Sequence, residues 1–104
     1  MGSTKKEQYR PYQLRYAQLS DAMGHPARIA ILEYLNICFR AKSRDLIHLT
    51  KLSKSTVSQH VKELLDSKLI FERYDDFTNE HYYYLNPHAF EMMEEVVGQI
   101  FKQS

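Results

Sequence analysis

Residues 52–70 read LSKSTVSQHVKELLDSKLI, and this stretch decides the fold of the chain. Ser53 is a favourable N-cap, because a serine hydroxyl can accept a hydrogen bond from the free N–H groups at the start of a helix. A helix is therefore predicted from Lys54 to about Ser67. One face of it is apolar, with helical spacing between Val57, Val61, Leu64 and Leu65. The opposite face is polar and carries Lys54, Ser55, Ser58, Gln59 and Lys62.

Two longer helices are predicted near the start of the chain. The first covers about residues 7–22, or begins at Pro11, and Gly24 is expected to end it in a left-handed conformation. The second runs from Pro26 to about Phe39, and it is apolar on most sides, which predicts a central and buried position. The first helix has an apolar stripe at helical spacing, formed by Tyr9, Tyr12, Tyr16 and Leu19.

A third, short helix is predicted just before the opening segment. Either Ser43 or Asp45 would cap it, and it runs through Leu49. With the helix that begins at Lys54 it forms a helix-turn-helix unit over residues 43–67. The two helices are joined by a connection of only a few residues.

The chain after residue 68 changes from helical to extended patterning. Residues 69–74 and 81–85 are rich in β-branched and aromatic side chains, and residues 75–80 between them are typical of a hairpin loop. Asn86 is a good cap for a last helix that begins at Pro87 and ends near residue 102. This helix has an apolar stripe formed by Phe90, Met93, Val97 and Ile100. The predicted order is ααααββα, a mainly α single domain over residues 1–104, with residues 1–6 expected to be disordered.

The chain has a net charge of +1, but the charge is unevenly distributed. Residues 40–62 contain six basic side chains and one acidic one, whereas residues 72–81 contain one basic and four acidic ones. A basic segment followed by an acidic one is thus hidden in a nearly neutral total. The basic segment favours a polyanionic partner.

Composition also limits the class of protein. The single cysteine, Cys38, cannot form an internal disulfide, and no stretch resembles a secretion signal or the roughly 18 apolar residues of a membrane span. These features predict a cytoplasmic protein without a membrane segment. No glycine-rich phosphate loop and no evident nucleophile and base pair supports an enzyme, so neither catalysis nor a cofactor is expected.

The polar face of the fourth helix is suited to a DNA major groove. Ser55 and Thr56 can donate to phosphates near the positive end of the helix, Gln59 can pair with adenine, and Lys54 can reach guanine. The alternative is that these side chains only solubilise and cap an amphipathic surface helix. The predicted DNA contacts are Lys54, Ser55, Thr56, Ser58, Gln59, His60, Lys62, Arg44, Arg73 and His81.

Three stretches of the chain resemble a known family. Residues 19–35, LSDAMGHPARIAILEYL, together with residues 52–70 and the closing YYYLNP of residues 82–87, are similar to ArsR/SmtB-type winged helix-turn-helix repressors. The resemblance implies a wing over residues 69–85 and a homodimer that binds a palindromic operator in double-stranded DNA. It also implies that the helices over residues 7–22 and 87–102 pack across the two-fold axis. The implied interface consists of Tyr9, Tyr12, Tyr16, Leu19, Phe90, Met93, Val97 and Ile100, and the alternative is that these stripes are internal core.

Three features depart from that family. Many members bind metals through cysteine pairs or through ligands on the last helix, whereas the third helix here has no cysteine and a metal site is not expected. Cys38 is expected to be buried and inert, with a redox role as the alternative. The wing loop is acidic, so either its tip points away from DNA while Arg73 and His81 contact the backbone, or DNA binding is weak.

Two questions of function stay open at the level of sequence. The main alternative to a repressor is a protein-interaction module in which the winged helix has lost its DNA affinity. The effector is equally open, since a small organic molecule, a redox signal, a nucleotide or no effector at all agrees with the pattern.

Overall fold

The computed structural model describes residues 8–102, so the expected disorder of residues 1–6 lies outside the described residues. Five helices and one antiparallel hairpin follow in the predicted order ααααββα. They are α1 (Pro11–Ala22), α2 (Pro26–Cys38), α3 (Ser43–Thr50), α4 (Lys54–Asp66), β1 (Ile70–Asp75), β2 (Glu80–Leu85) and α5 (Pro87–Ile100).

The helix starts follow from local chemistry. Proline occupies the first turn of α1, α2 and α5, where its missing N–H has no helical partner to lose. The Ser53 hydroxyl accepts from the N–H of Thr56 at 3.2 Å, and Asn86 accepts from the N–H of His88 at 3.1 Å. Both predicted caps are therefore confirmed. Helix α1 begins at Pro11, the later of its two predicted starts.

Two local predictions are wrong. The N-cap of α3 is Lys42, because the Asp45 carboxylate sits one turn inside the helix and accepts from the Lys42 N–H at 2.9 Å. Gly24 is not left-handed: α1 ends at Ala22 with Met23 as its C-cap, and the Gly24 N–H donates to Asp21 O at 3.0 Å.

The core lies where α2, α3, α4 and the start of the hairpin meet. The hairpin pairs Ile70 with Leu85 at its base and Asp75 with Glu80 at its outer end. Ala41, in the connector between α2 and α3, exchanges two backbone hydrogen bonds with Tyr83 at 3.1 and 2.8 Å. Because an isolated two-stranded hairpin is only marginally stable, this bridge helps to fix the wing on the helices. The largest fully buried side chains are Leu19, Ile31, Leu35, Leu46, Leu64, Leu69 and Ile70.

Candidate nucleic-acid interface

Helix α4 exposes the polar face that the sequence predicts. Val57, Val61 and Leu64 are buried against the core, so the other side of the helix is turned outward. A left-handed residue, Lys51 (φ 59°), ends α3, and Ser53 caps α4 two residues later. The tight turn thus fixes α4 relative to α3. The exposed predicted contacts on α4 are Lys54, Ser55, Thr56, Ser58, Gln59 and Lys62.

Hydroxyl groups cluster at the N-terminus of α4. The Ser53 hydroxyl donates to Thr56 Oγ1 at 2.9 Å and lies 3.3 Å from Ser55 Oγ. The hydroxyl protons of Ser55 and Thr56 can still turn outward to a phosphate, and the unpaired N–H groups of the first turn add positive potential. This end of the helix is therefore suited to a backbone phosphate.

Two of the long polar side chains on α4, Gln59 and Lys62, contact acids one turn further along. Lys62 Nζ lies 2.8 Å from Asp66 Oδ2, and the hydrogen bond to that carboxylate raises the pKa of the lysine. Gln59 Nε2 lies 3.5 Å from Glu63 Oε2, a distance at which a hydrogen bond is weak. Gln59 is thus free to exchange this contact for a base edge, whereas Lys62 must leave an ion pair to reach a phosphate.

His60 is buried in the interior, so its prediction as a DNA contact is wrong. Its side chain is only 7% exposed, and Nδ1 accepts from Arg28 Nε at 3.0 Å. Desolvation lowers the pKa of His60, and the nearby His25 and Arg28 add to that shift, so the fold favours the neutral ring. The sequence contains a signal for this burial: His60 follows Val57 by three residues and precedes Leu64 by four, which is the spacing of the buried face of α4.

The acidic wing is paired with the basic connector between α2 and α3. Arg40 Nη1 lies 2.8 Å from Asp75 Oδ2, and its guanidinium carbon is 3.8 Å from the centre of the Tyr82 ring. The hydrogen bond from Arg40 holds the pKa of Asp75 below its usual range, with a further contribution from the Phe77 N–H. Glu80 contacts both Lys42 Nζ (3.3 Å) and Arg44 Nη2 (3.5 Å).

These ion pairs reduce the positive charge that the basic segment can present to DNA. Three cations of the basic segment, Arg40, Lys42 and Arg44, pair with the wing carboxylates Asp75 and Glu80, which reduces the repulsion of DNA by these two acids. Among residues 8–102, Lys51 and Lys54 make no ion pair, and Arg44 is 70% exposed at the start of α3. The positive potential next to α4 thus comes from fewer side chains than the sequence count indicates.

The hairpin places its two predicted DNA contacts on opposite faces. Arg73 is opposite Tyr82 and His81 is opposite Tyr74, and neighbouring residues of a strand point to opposite sides. His81 shares its face with Tyr83, which borders a small cleft against α3 and α4. His81 is therefore on the α4 side, where Glu72 lies 3.4 Å from its Nδ1, while Arg73 is on the other side.

The predicted dimer residues differ in exposure. Leu19 is fully buried in the core of the protomer, so it is withdrawn from the interface. Tyr16, Phe90, Met93 and Val97 are half-buried, while Tyr9, Tyr12 and Ile100 are exposed. Sequence reasoning missed Phe101, which is 72% exposed just after α5. Helices α1 and α5 are in contact with each other.

The expectation for Cys38 is corrected, because the thiol is exposed. Helix α2 extends beyond the core at its C-terminal end, so Ile37 and Phe39 are exposed as well. In the described part of the chain, no group of three or more histidine, cysteine or acidic side chains is placed to hold a metal ion. Likewise, none of the described helices has the length and apolar character needed to cross a membrane.

Comparison with known proteins adds independent findings. Residues 25–70 match the family described as bacterial regulatory protein, arsR family. The chain is 34% identical over 76 residues to the arsenical resistance operon repressor of Staphylococcus xylosus, and the match covers 70% of each protein. These are regulators of transcription and not enzymes.

Solved structures show the same fold. The transcriptional repressor PagR of Bacillus anthracis is 26% identical, with a TM-score of 0.66 over 81% of this chain and 94% of that chain. An ArsR-like transcriptional regulator from Rhodococcus sp. RHA1 is 16% identical, with a TM-score of 0.75 over 85% of this chain and 80% of that one. The predicted winged helix-turn-helix fold is thus confirmed.

Proposed function

Because this chain belongs to the ArsR family of bacterial regulatory proteins, we propose that it is a repressor that binds a palindromic operator as a homodimer. The coarser function, a DNA-binding regulator of transcription, is that of its family. The observation that carries the finer proposal is the exposed polar face of α4, which a tight turn and a buried opposite face hold in one orientation. Such a helix fits a major groove, and two of them in a dimer read half-sites about one helical turn apart. This activity belongs in the cytoplasm, with the DNA.

The dimer is proposed to form through α1 and α5. Exposed apolar side chains on these two helices support this, because Tyr9, Tyr12, Ile100 and Phe101 have little to cover them in one protomer. At the DNA interface, we expect His81 to be the contact from the wing, and we expect Arg44 and Lys54 to contact phosphates. We also propose that metal ions are not its signal, since a thiolate metal site within one chain needs at least two cysteines and this chain has one.

The test is selection of bound sequences from a random duplex pool, followed by binding of the enriched site to variants. An enriched palindrome with half-sites about 10 base pairs apart is expected. Gln59→Ala should cost roughly 1–3 kcal/mol, or about 5- to 150-fold, on that site and little on random DNA. Gln99→Ala removes the same group from α5 and is the matched control. Equal losses on both duplexes would contradict base reading by Gln59.

The second candidate is a protein-interaction module with little DNA affinity. The ion pairs of Arg40, Lys42 and Arg44 with the wing favour it, because they reduce the free positive charge next to α4. The two candidates differ in salt dependence. A repressor loses affinity steeply as salt rises, whereas no enrichment of any sequence at low salt would support the interaction module.

A further inference from the structure

A large apolar groove is present to which neither α3 nor α4 contributes a lining residue. It has a volume of about 860 Å³ and is enclosed by α2, by the hairpin and by the first half of α5. This volume is within the range of pockets that hold small organic ligands. None of the residues proposed above to contact DNA lines it.

Aromatic rings form much of the wall. The rings of Phe71 and Tyr84 are stacked with centres 5.4 Å apart, and Phe39 meets Tyr84 edge-on at 5.7 Å. Phe39 is 73% exposed, and its backbone is in a positive-φ conformation (φ 76°) that is strained for a bulky residue. Phe90 lines the groove from α5, and it is also one of the residues that the family resemblance assigns to the dimer interface. Exposed ring faces of this kind attract cations as well as apolar groups.

All charged side chains that line the groove are acidic. Glu33 comes from α2, and Glu91 and Glu94 come from consecutive turns of α5, where they share a face with Phe90. Among the described residues, no lysine or arginine lines it. The only ion-pair contact of these carboxylates in that part of the chain is from His88 to Glu91, at 3.6 Å. On the hairpin side, the Arg73 guanidinium carbon lies 5.3 Å from the centre of the Phe71 ring, and Arg40 donates to the Tyr84 hydroxyl at 3.4 Å. The α2 and α5 sides carry only carboxylates, and these sides are complementary to a ligand with an apolar body and a positive charge.

We propose that this groove binds a lipophilic organic cation, such as an ammonium or phosphonium compound with aromatic or branched alkyl groups. The apolar body would lie against Phe71, Tyr84 and Leu32, and the positive centre would lie near Glu33 and Glu94. A second copy of the chain fits less well. A two-fold contact centred on the groove would bring the carboxylates of both copies together, and like charges at that distance repel.

The experiment compares two probes of the same shape and opposite charge. Titration calorimetry of the full chain, without DNA, is performed with tetraphenylphosphonium and with tetraphenylborate. We expect one phosphonium ion per chain, with at least tenfold weaker binding of the borate. Equal binding of the two ions would overturn the proposal. Because DNA is absent, the result is independent of the proposed repressor function.

Variants locate the site and test the rival occupant. The double variant Glu33→Gln, Glu94→Gln should weaken phosphonium binding at least tenfold, while Glu95→Gln, on α5 but outside the groove, should not change it. An equal loss in Glu95→Gln would overturn the site. Phe39→Ser changes an exposed ring and should weaken phosphonium binding several-fold without altering the sedimentation coefficient. If it dissociates a dimer instead, the groove is an interface between copies and the proposal is wrong.

Discussion

Glu80→Gln is expected to make DNA binding tighter and more dependent on salt. In the folded protein the Glu80 carboxylate contacts Lys42 at 3.3 Å and Arg44 at 3.5 Å. The substitution keeps the size of the side chain and removes its charge, so both cations lose an anionic partner. Arg44 is 70% exposed at the start of α3, the helix that crosses the phosphate backbone in this class of DNA-binding unit.

The size of the effect follows from counterion release. Each phosphate neutralised on duplex DNA steepens the plot of log affinity against log salt by about 0.9. One new contact per protomer gives two in the proposed dimer, so the slope steepens by about 1.8. Between 50 and 200 mM salt, a fourfold change, the variant then loses about 12-fold more affinity than the wild type. The pairs are partly exposed, so their loss should cost about 0–1 kcal/mol of stability and leave the fold intact.

The assay is fluorescence anisotropy on a labelled operator over that salt range, with the same titration on a random duplex. Both duplexes should show the same steepening, because phosphate contacts do not depend on sequence. Glu95→Gln makes the same change of net charge on α5 and should leave the slope unchanged. An unchanged or shallower slope in a folded Glu80→Gln protein would refute the idea that the wing neutralises phosphate-binding cations.

Three further substitutions test the core, the buried histidine and the dimer. Leu19→Ala should lower the free energy of unfolding by about 2–5 kcal/mol, measured by urea denaturation, since its side chain is fully buried. A loss below about 1 kcal/mol would contradict its place in the core. Burial lowers the pKa of His60, so the unfolded chain takes up the proton first and wild-type stability should decrease as the pH falls below about 6.5, by at most about 1.4 kcal/mol per pH unit. His60→Asn keeps an acceptor for Arg28 but cannot titrate. An identical dependence of stability on pH in the two proteins would therefore exclude His60 as the cause of the loss. Ile100→Glu should convert the proposed dimer to a monomer in sedimentation experiments, whereas Gln99→Glu should not, and a dimer in both would place the interface elsewhere.

Much of the fold is predictable from the sequence, because its local signals agree with each other. Ser53 and Asn86 fix the starts of α4 and α5, since an N-cap needs only its own side chain and a backbone N–H two or three residues away. The helical spacing of Val57, Val61 and Leu64, with polar residues between them, fixes which side of α4 is buried. The predicted order of elements is therefore correct, and the errors at Gly24 and Lys42 are shifts of a residue or so at helix ends.

The errors at single site residues have a different origin. The motif that contains His60 and the stripe that contains Leu19 predict surface positions for them, but each side chain points into the core of its own protomer. Cys38 was assigned to the interior because α2 is apolar, yet its last turn extends past the elements that cover the rest. Burial depends on which elements lie on either side, and this is a property of the packed chain.

The order of the elements, the caps of α4 and α5 and the exposed polar face of α4 can be predicted from the sequence alone, because each depends on contacts within a few residues. Only the tertiary structure decided the charge of the interface, since Arg40 and Asp75 are separated by 35 residues and meet only when the hairpin folds back on the connector. The same folding brings three carboxylates from α2 and α5 to one aromatic groove. Electrostatic complementarity acts through space, and a linear pattern contains no distances between distant residues.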